Sequence, residues 1–292
     1  MAPLPAPGSF FDRGGGIRMH WRDEGSGDPV VMVHGNPTWS FLFRGLVAAL
    51  RDRHRCVVPD HVGMGLSDRP GDRDYAYTLR SRVDDLEALL EHAGVKGRVT
   101  LVLHDWGGMI GMAWAARRPD RVARIVAMNT GAFRLPAGKS LPRELWWVRD
   151  TPLGPLLVRG ADAFVRGSIR RCVVRRPLAP EVAAQYLRPG GRSDRRAVLR
   201  FVQDIPLGPG DAAWPVLEET ERALPAFADR PMLLPWGMKD FVFDGDWLAE
   251  WTRRFPKAEV HRFEDAGHWL LEDAGEEVVP LVRRFLEAHP IP

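Results

Sequence analysis

The stretch that most constrains this chain runs from Val99 to Met112, VTLVLHDWGGMIGM. Val99 to Leu103 is mostly apolar and reads as a short strand buried on both faces. His104-Asp105-Trp106-Gly107-Gly108 follows, and Met109 to Arg117 carries helical propensity. A buried strand that meets a helix through a tight, glycine-supported turn holds one side chain at the apex. A serine usually stands there, in the pattern G-x-S-x-G. That pattern occurs nowhere in this chain, and the apex is Asp105, preceded at the flanking position by Leu103. Asp105 therefore reads as a carboxylate nucleophile. Taken alone it would equally serve as a helix cap, so its partners decide.

The rest of the chain alternates strand and helix. Ile17 to Asp23, Val30 to Val33, Cys56 to Val58, Val122 to Met128, Met232 to Leu234 and Glu259 to Phe263 read as strands. Phe41 to Leu50, Leu79 to His92, Asp246 to Phe255 and Gly275 to Ala288 read as helices. Leu79, Val83, Leu86, Leu89 and Leu90 fall on one helical face. Met1 to Gly8 is proline-rich and reads as a loose arm. From about Ala132 to Ala228 the pattern changes: prolines are frequent, apolar spacing is helical and strand-like runs are few. The expected architecture is an α/β core (residues 1–131 and 229–292) interrupted by a helical cap (132–228). Its sheet is mostly parallel, with helices on both faces.

In an open α/β sheet the carboxyl ends of the strands converge on one crevice, so residues distant in sequence meet there. Asp105, Asp240 and His268 each follow a core strand, in the order nucleophile, acid, histidine. Asn129 and Thr130, after the preceding strand, offer no carboxylate, which favours Asp240 as the acid; Glu264 and Asp265 compete with it on spacing alone. A carboxylate attacks carbon to form an ester. A histidine can then activate water, with the acid fixing its tautomer. Gly63-x-Gly65 lacks the third glycine and the following helix of a dinucleotide loop.

His34-Gly35-Asn36-Pro37-Thr38-Trp39 together with His104-Asp105-Trp106-Gly107-Gly108 resembles the haloalkane dehalogenases, a family with the α/β-hydrolase fold. The resemblance covers nearly the whole chain. Within that family it is closest to the β-lactone decarboxylases of bacterial long-chain olefin biosynthesis, through VVPDHVGMGLSDRP, FVQDIPLGP and Trp269-Leu270-Leu271-Glu272-Asp273. FVQDIPLGP carries the most weight because it lies in the expected cap, where relatives diverge. The resemblance implies that the side chains of Asn36 and Trp106 bind the leaving group, and that their backbone N–H groups form an oxyanion hole. It implies decarboxylation of a cis-3,4-dialkyl β-lactone to a cis-alkene, by attack at either the ring carbon or the carbonyl. Hydrolytic dehalogenation is the alternative. An epoxide hydrolase needs two cap tyrosines, and only Tyr186 lies in the cap. A binding protein on this fold tends to lose part of the triad, and nothing here is lost.

The net charge of +3 is too small to argue for nucleic acid. No charged start followed by an apolar run marks a signal peptide, and no stretch approaches a transmembrane helix. Cys56 and Cys172 stand in no metal-ligand spacing and read as reduced and structural, which suits a cytoplasm. No cofactor or metal is implied, and the expected ligand is a small apolar molecule. Eleven arginines between Arg159 and Arg200 read most simply as a solvated face, with a pathway enzyme or an anionic membrane as a second use. Trp146, Trp147, Phe164 and Trp214 are expected to pack the cap helices or line an apolar pocket. His104 is expected to orient the elbow or to be a satisfied core histidine.

Overall fold

Alternation along the central strands sets the architecture. Val30 and Met32 enter one apolar cluster and Val31 and Val33 the other, so the strand between them is covered on both faces. A computed structural model describes residues 8–160, 162–189 and 194–291. The expected arm at Met1 to Gly8 lies outside the described residues except for Gly8.

Eight strands form one sheet in the order β1-β2-β4-β3-β5-β6-β7-β8. They are β1 (Ser9–Asp12), β2 (Arg18–Glu24), β3 (Asp28–Val33), β4 (His54–Pro59), β5 (Val99–Asp105), β6 (Val122–Thr130), β7 (Met232–Gly237) and β8 (Glu259–Phe263). β1 and β2 pair antiparallel to their neighbours, and the remaining pairs are parallel. β1 is a short edge strand without a clear alternation, and sequence reasoning missed it. Every residue of β5, β6 and β7 is buried, as a parallel sheet with two covered faces demands.

Helices α1 (Arg44–Leu50), α2 (Leu79–His92) and α3 (Trp106–Arg117) belong to the first half of the chain. A 3-10 turn over Ser40–Phe43 precedes α1, so the expected helix from Phe41 is two pieces. Thr78 caps α2, accepting the Ser81 N–H at 3.3 Å. α3 is apolar on all sides, as a helix enclosed by its surroundings should be.

Between β6 and β7 the described residues form helices and no strand: α4 (Arg143–Asp150), α5 (Leu153–Pro155), α6 (Ala163–Arg171), α7 (Pro180–Leu187), α8 (Arg196–Gln203) and α9 (Trp214–Ala223). The second half closes with α10 (Gly245–Arg254), α11 (Leu270–Asp273) and α12 (Gly275–Ala288). Two expectations about the inserted helices need correction. Arg195 is not on a solvated face: it is buried against Asp162 at 2.9 Å and donates to the carbonyls of Leu187 and Pro189. Trp146 and Trp147 do not pack between the inserted helices: they stand 46% and 44% exposed, although Trp147 does line an apolar groove. Among the described residues, no helix is long and apolar enough to cross a membrane.

Candidate active site

The elbow is tighter than the sequence implied. β5 continues through Asp105 and α3 begins at Trp106, so one residue takes the whole turn, with φ 53° and ψ −126°. A non-glycine residue in this region is strained and must be held by its surroundings. Two glycines permit that hold by close approach. A Cβ on Gly35 would lie 1.9 Å from Asp105 Oδ1, and one on Gly107 would lie 1.9 Å from the Val33 carbonyl. Thr130 locks the turn from the β6 side by donating to the Asp105 carbonyl.

Three side chains meet at the carboxyl ends of β5, β7 and β8. His268 Nδ1 lies 2.7 Å from Asp240 Oδ2, and His268 Nε2 lies 3.5 Å from Asp105 Oδ2. Glu264 and Asp265 do not compete for the imidazole, since they pair with Arg262 and Arg175. Asn129 lacks a carboxylate and so cannot itself be the acid. It holds a positive φ of 39° and donates from Nδ2 to Asp240 Oδ2 and to the Gly237 carbonyl, at 3.0 and 2.9 Å. It also accepts the Gly237 N–H at 2.9 Å. An Asn closing a core strand at the acid's position is the signal that could have found it.

His104 Nε2 lies 2.8 Å from the His268 carbonyl. It therefore braces the loop that carries His268 and makes no hydrogen bond to the Asp105 carboxyl. Burial pushes the His104 imidazole down to about 4, with the neighbouring His268 adding to the effect, so it is neutral. Burial also acts against charge at Asp105, but hydrogen bonding and charge from His268 and the Asn36 N–H outweigh it and hold the carboxyl below its usual value. For His268, burial favours the neutral ring; Asp240 and Asp105 overcome this and raise it to about 10. His268 therefore holds its proton at neutral pH beside the ionised Asp105 carboxyl.

Asn36 and Trp106 both line the chamber above Asp105. The Asn36 backbone N–H donates to Asp105 Oδ1 at 2.5 Å, so this arm of the expected oxyanion hole grips a carboxyl oxygen of the expected nucleophile itself. That suits an Asp nucleophile, because in ester hydrolysis the tetrahedral oxyanion forms on its own carboxyl carbon. The Asn36 side chain is partly committed: Nδ2 donates to the Val198 carbonyl on α8 at 3.1 Å, leaving its second N–H for a ligand. The Trp106 indole packs against Phe201, ring centroids 5.4 Å apart. Arg82 sits 3.7 Å from the Phe201 centroid. FVQDIPLGP thus forms part of the site. Val202, Ile205 and Pro206 line the chamber, and Asp204 accepts from the Leu79 N–H at 2.6 Å and from Arg82 at 3.1 Å.

The remaining walls are mostly apolar, including Met109, Phe133, Leu135, Leu145, Phe164 and Trp247, with Lys139, Ser140 and Ser168 as polar exceptions. Phe241, Val242 and Phe243, directly after Asp240, also line it and were not anticipated. Cys172 borders the chamber, and burial raises its thiol well above the ordinary value. Tyr186 faces away from it, bonded to Glu272. Asp273 ties the inserted helices to the histidine loop, accepting the N–H groups of Val174, Arg175 and Gly267 at 2.7 to 3.0 Å.

The alpha/beta hydrolase fold family model matches residues 28–275. A protein named cis-3-alkyl-4-alkyloxetan-2-one decarboxylase from Shewanella oneidensis is 50% identical, over 97% of this chain and 89% of its own. One of the same name from Xanthomonas campestris pv. campestris is 48% identical, with 94% of each chain covered. Haloalkane dehalogenase 2 of Mycobacterium bovis is more distant at 34%, over 96% of each. Among solved structures, a mutant of the haloalkane dehalogenase DatA from Agrobacterium tumefaciens C58 superposes with a TM-score of 0.83. It is 27% identical and covers 97% of this chain and 98% of that one.

Proposed function

The chain belongs to the α/β-hydrolase family, and from that premise we propose that it decarboxylates a cis-3-alkyl-4-alkyl β-lactone to a cis-alkene and carbon dioxide. The observation that carries the proposal is the Asp105–His268–Asp240 trio at the floor of an apolar chamber, in a chain about half identical to decarboxylases of that name. Residues 132–228 serve as the cap over this floor.

Asp105 attacks the alkyl-bearing ring carbon next to the ring oxygen, forming an ester as the ring C–O bond breaks and the lactone carboxyl becomes a carboxylate. The bond between that carboxylate and the chain then breaks. Its electron pair forms the alkene, carbon dioxide leaves, and Asp105 departs as a carboxylate. No proton moves and no water is consumed. Inversion in the first step and anti elimination in the second convert a cis lactone into a cis alkene. His268 acts as the cation beside Asp105, while the free N–H of Asn36 and the indole N–H of Trp106 hold the liberated carboxylate.

Haloalkane hydrolysis is the second reading, favoured by the same trio and by the 34% identical dehalogenase. In that chemistry the ester removes the Asp105 charge, His268 loses one of the two anions that hold its proton, and it becomes able to deprotonate water. A cytoplasmic location and assembly with the enzyme that supplies the lactone complete the proposal, because a dialkyl lactone is poorly soluble in water.

The test is a side-by-side assay: gas chromatography of products from a cis-3,4-dialkyl β-lactone against halide release from 1-iodobutane. Alkene should form far faster than iodide, and Asp105→Ala should abolish it. Rapid iodide release without alkene would promote dehalogenation.

A further inference from the structure

We propose that the α4–α6 face of the cap docks onto an anionic lipid surface and brings the substrate groove to it. Nine large apolar side chains stand exposed among the described residues, and five of them fall within 146–157: Trp146, Trp147, Leu153, Leu156 and Leu157. Leu156 is 63% exposed and Leu153 48%. On α4 the inward positions Leu145 and Val148 are buried, so the adjacent indoles are turned outward by the helix itself. Large exposed apolar side chains gathered in one short segment mark an interaction site, and paired indoles with leucine tips are the residues that settle at a membrane interface.

Charge selects the kind of surface. Residues 143–171 carry Arg143, Arg149, Arg159, Arg166, Arg170 and Arg171 against Glu144, Asp150 and Asp162. All three acids are already engaged, Asp162 by the buried Arg195 and by Arg166, Glu144 by Arg171 and Asp150 by Arg149. The guanidinium excess faces solvent at Arg143, Arg166 and Arg170, which suits anionic headgroups.

The position of the patch gives docking a purpose. A groove lined by Leu145, Trp147, Leu157 and Phe164 opens beside it. Leu145, Phe164, Ser168 and Phe241 line both this groove and the catalytic chamber. A molecule with two alkyl chains partitions into lipid, and this face offers it an apolar route inward; that purpose rests on the proposed substrate.

Flotation of the full chain with phosphatidylcholine vesicles, with and without phosphatidylglycerol, tests the docking. The protein should float with the anionic vesicles and release as salt is raised. A triple variant, Trp146→Ser, Leu153→Ser and Leu156→Ser, should cut the floated fraction by about tenfold, and Arg166→Glu with Arg170→Glu should do the same. Arg253→Glu, on α10 and outside this face, should float normally. All three substituted proteins should turn over a short, water-soluble lactone like the parent, which shows them folded. Failure of the parent to float, or flotation indifferent to the first two sets, overturns the docking and leaves the patch to a protein partner. Failure of the parent to convert the short lactone overturns the proposed activity instead, and flotation is read independently of it.

Discussion

Asn129 and His268 share one oxygen of Asp240: Nδ2 of the amide lies 3.0 Å and Nδ1 of the imidazole 2.7 Å from Oδ2. The other oxygen accepts the Val242 N–H at 2.7 Å. The acid is therefore aimed by its neighbours as well as by its own backbone. Asn129→Ala removes one hydrogen bond to a charged group, worth about 1.5–3 kcal/mol. The expected outcome is a fall in kcat of roughly ten- to a hundredfold with KM little changed. Steady-state kinetics on a variant shown by circular dichroism to be folded checks this.

Asp204 and Arg82 form a buried pair between the end of α8 and α2. Asp204→Ala leaves the guanidinium without its partner and should destabilise the protein by about 3–5 kcal/mol. The double variant Arg82→Met with Asp204→Leu removes both charges and should recover most of that loss. Urea unfolding of the three proteins measures it, and a double variant no more stable than the single would contradict the pairing.

His104 makes the fold sensitive to acid. Its unfolded imidazole takes a proton near pH 6.5, whereas the folded one stays neutral down to about 4. The unfolded state binds more protons in that window, so this contribution is complete above pH 6.5 and declines as pH falls toward 4, by up to about 3 kcal/mol. His104→Gln should flatten stability between pH 4 and 6.5 relative to the parent, as read from unfolding midpoints at each pH.

His268 bears on activity in the other direction. Raised to about 10, it stays an imidazolium across neutral pH in the free enzyme. If the cation assists lactone opening, kcat/KM should be level from pH 6 to 8 and fall as pH approaches 10. A base-dependent profile, rising through neutrality, would argue for water activation in the first irreversible step. The same shift means that the stability His268 contributes is present below pH 6.5 and lost as pH rises toward about 10.

Trp106→Phe deletes only the indole N–H and should slow single-turnover chemistry by roughly tenfold to several hundredfold. Asn36→Ala should slow it as well and also loosen the cap, since it deletes the bond to the Val198 carbonyl. Unchanged rates in both would show that these groups only pack.

The core was legible because its signals are local. Leu79–His92, Glu259–Phe263 and Gly275–Ala288 have the bounds their apolar spacing implied. Asp105, Asp240 and His268 could be picked out because the topology carries strand ends to one crevice, whatever their separation in sequence. Other features had no local signal. β1 is four residues long with one buried, and its pairing with β2 makes it a strand. The roles of Asn129 and Asp204 depend on partners about 110 and 120 residues away. Arg195 is indistinguishable in sequence from its neighbours in an arginine-rich run, and only the fold brings Asp162 opposite it. Trp146 and Trp147 look like core residues by type, and only the turn of α4 puts them outside.

The carboxylate of Asp273 fastens the cap to the loop that carries His268, and Asp204 fastens it again to α2 beside the Trp106–Phe201 stack. Both anchors lie next to residues of the candidate site. In contrast, the hydrogen bonds that residues 143–171 make among the described residues go to other cap residues, such as Arg149 to the Ile205 carbonyl. Two carboxylates thus hold the insertion in register with the His268 loop and with α2, so a change at either one would be felt at the floor of the chamber, whereas changes confined to the outer face of residues 143–157 would leave that register intact.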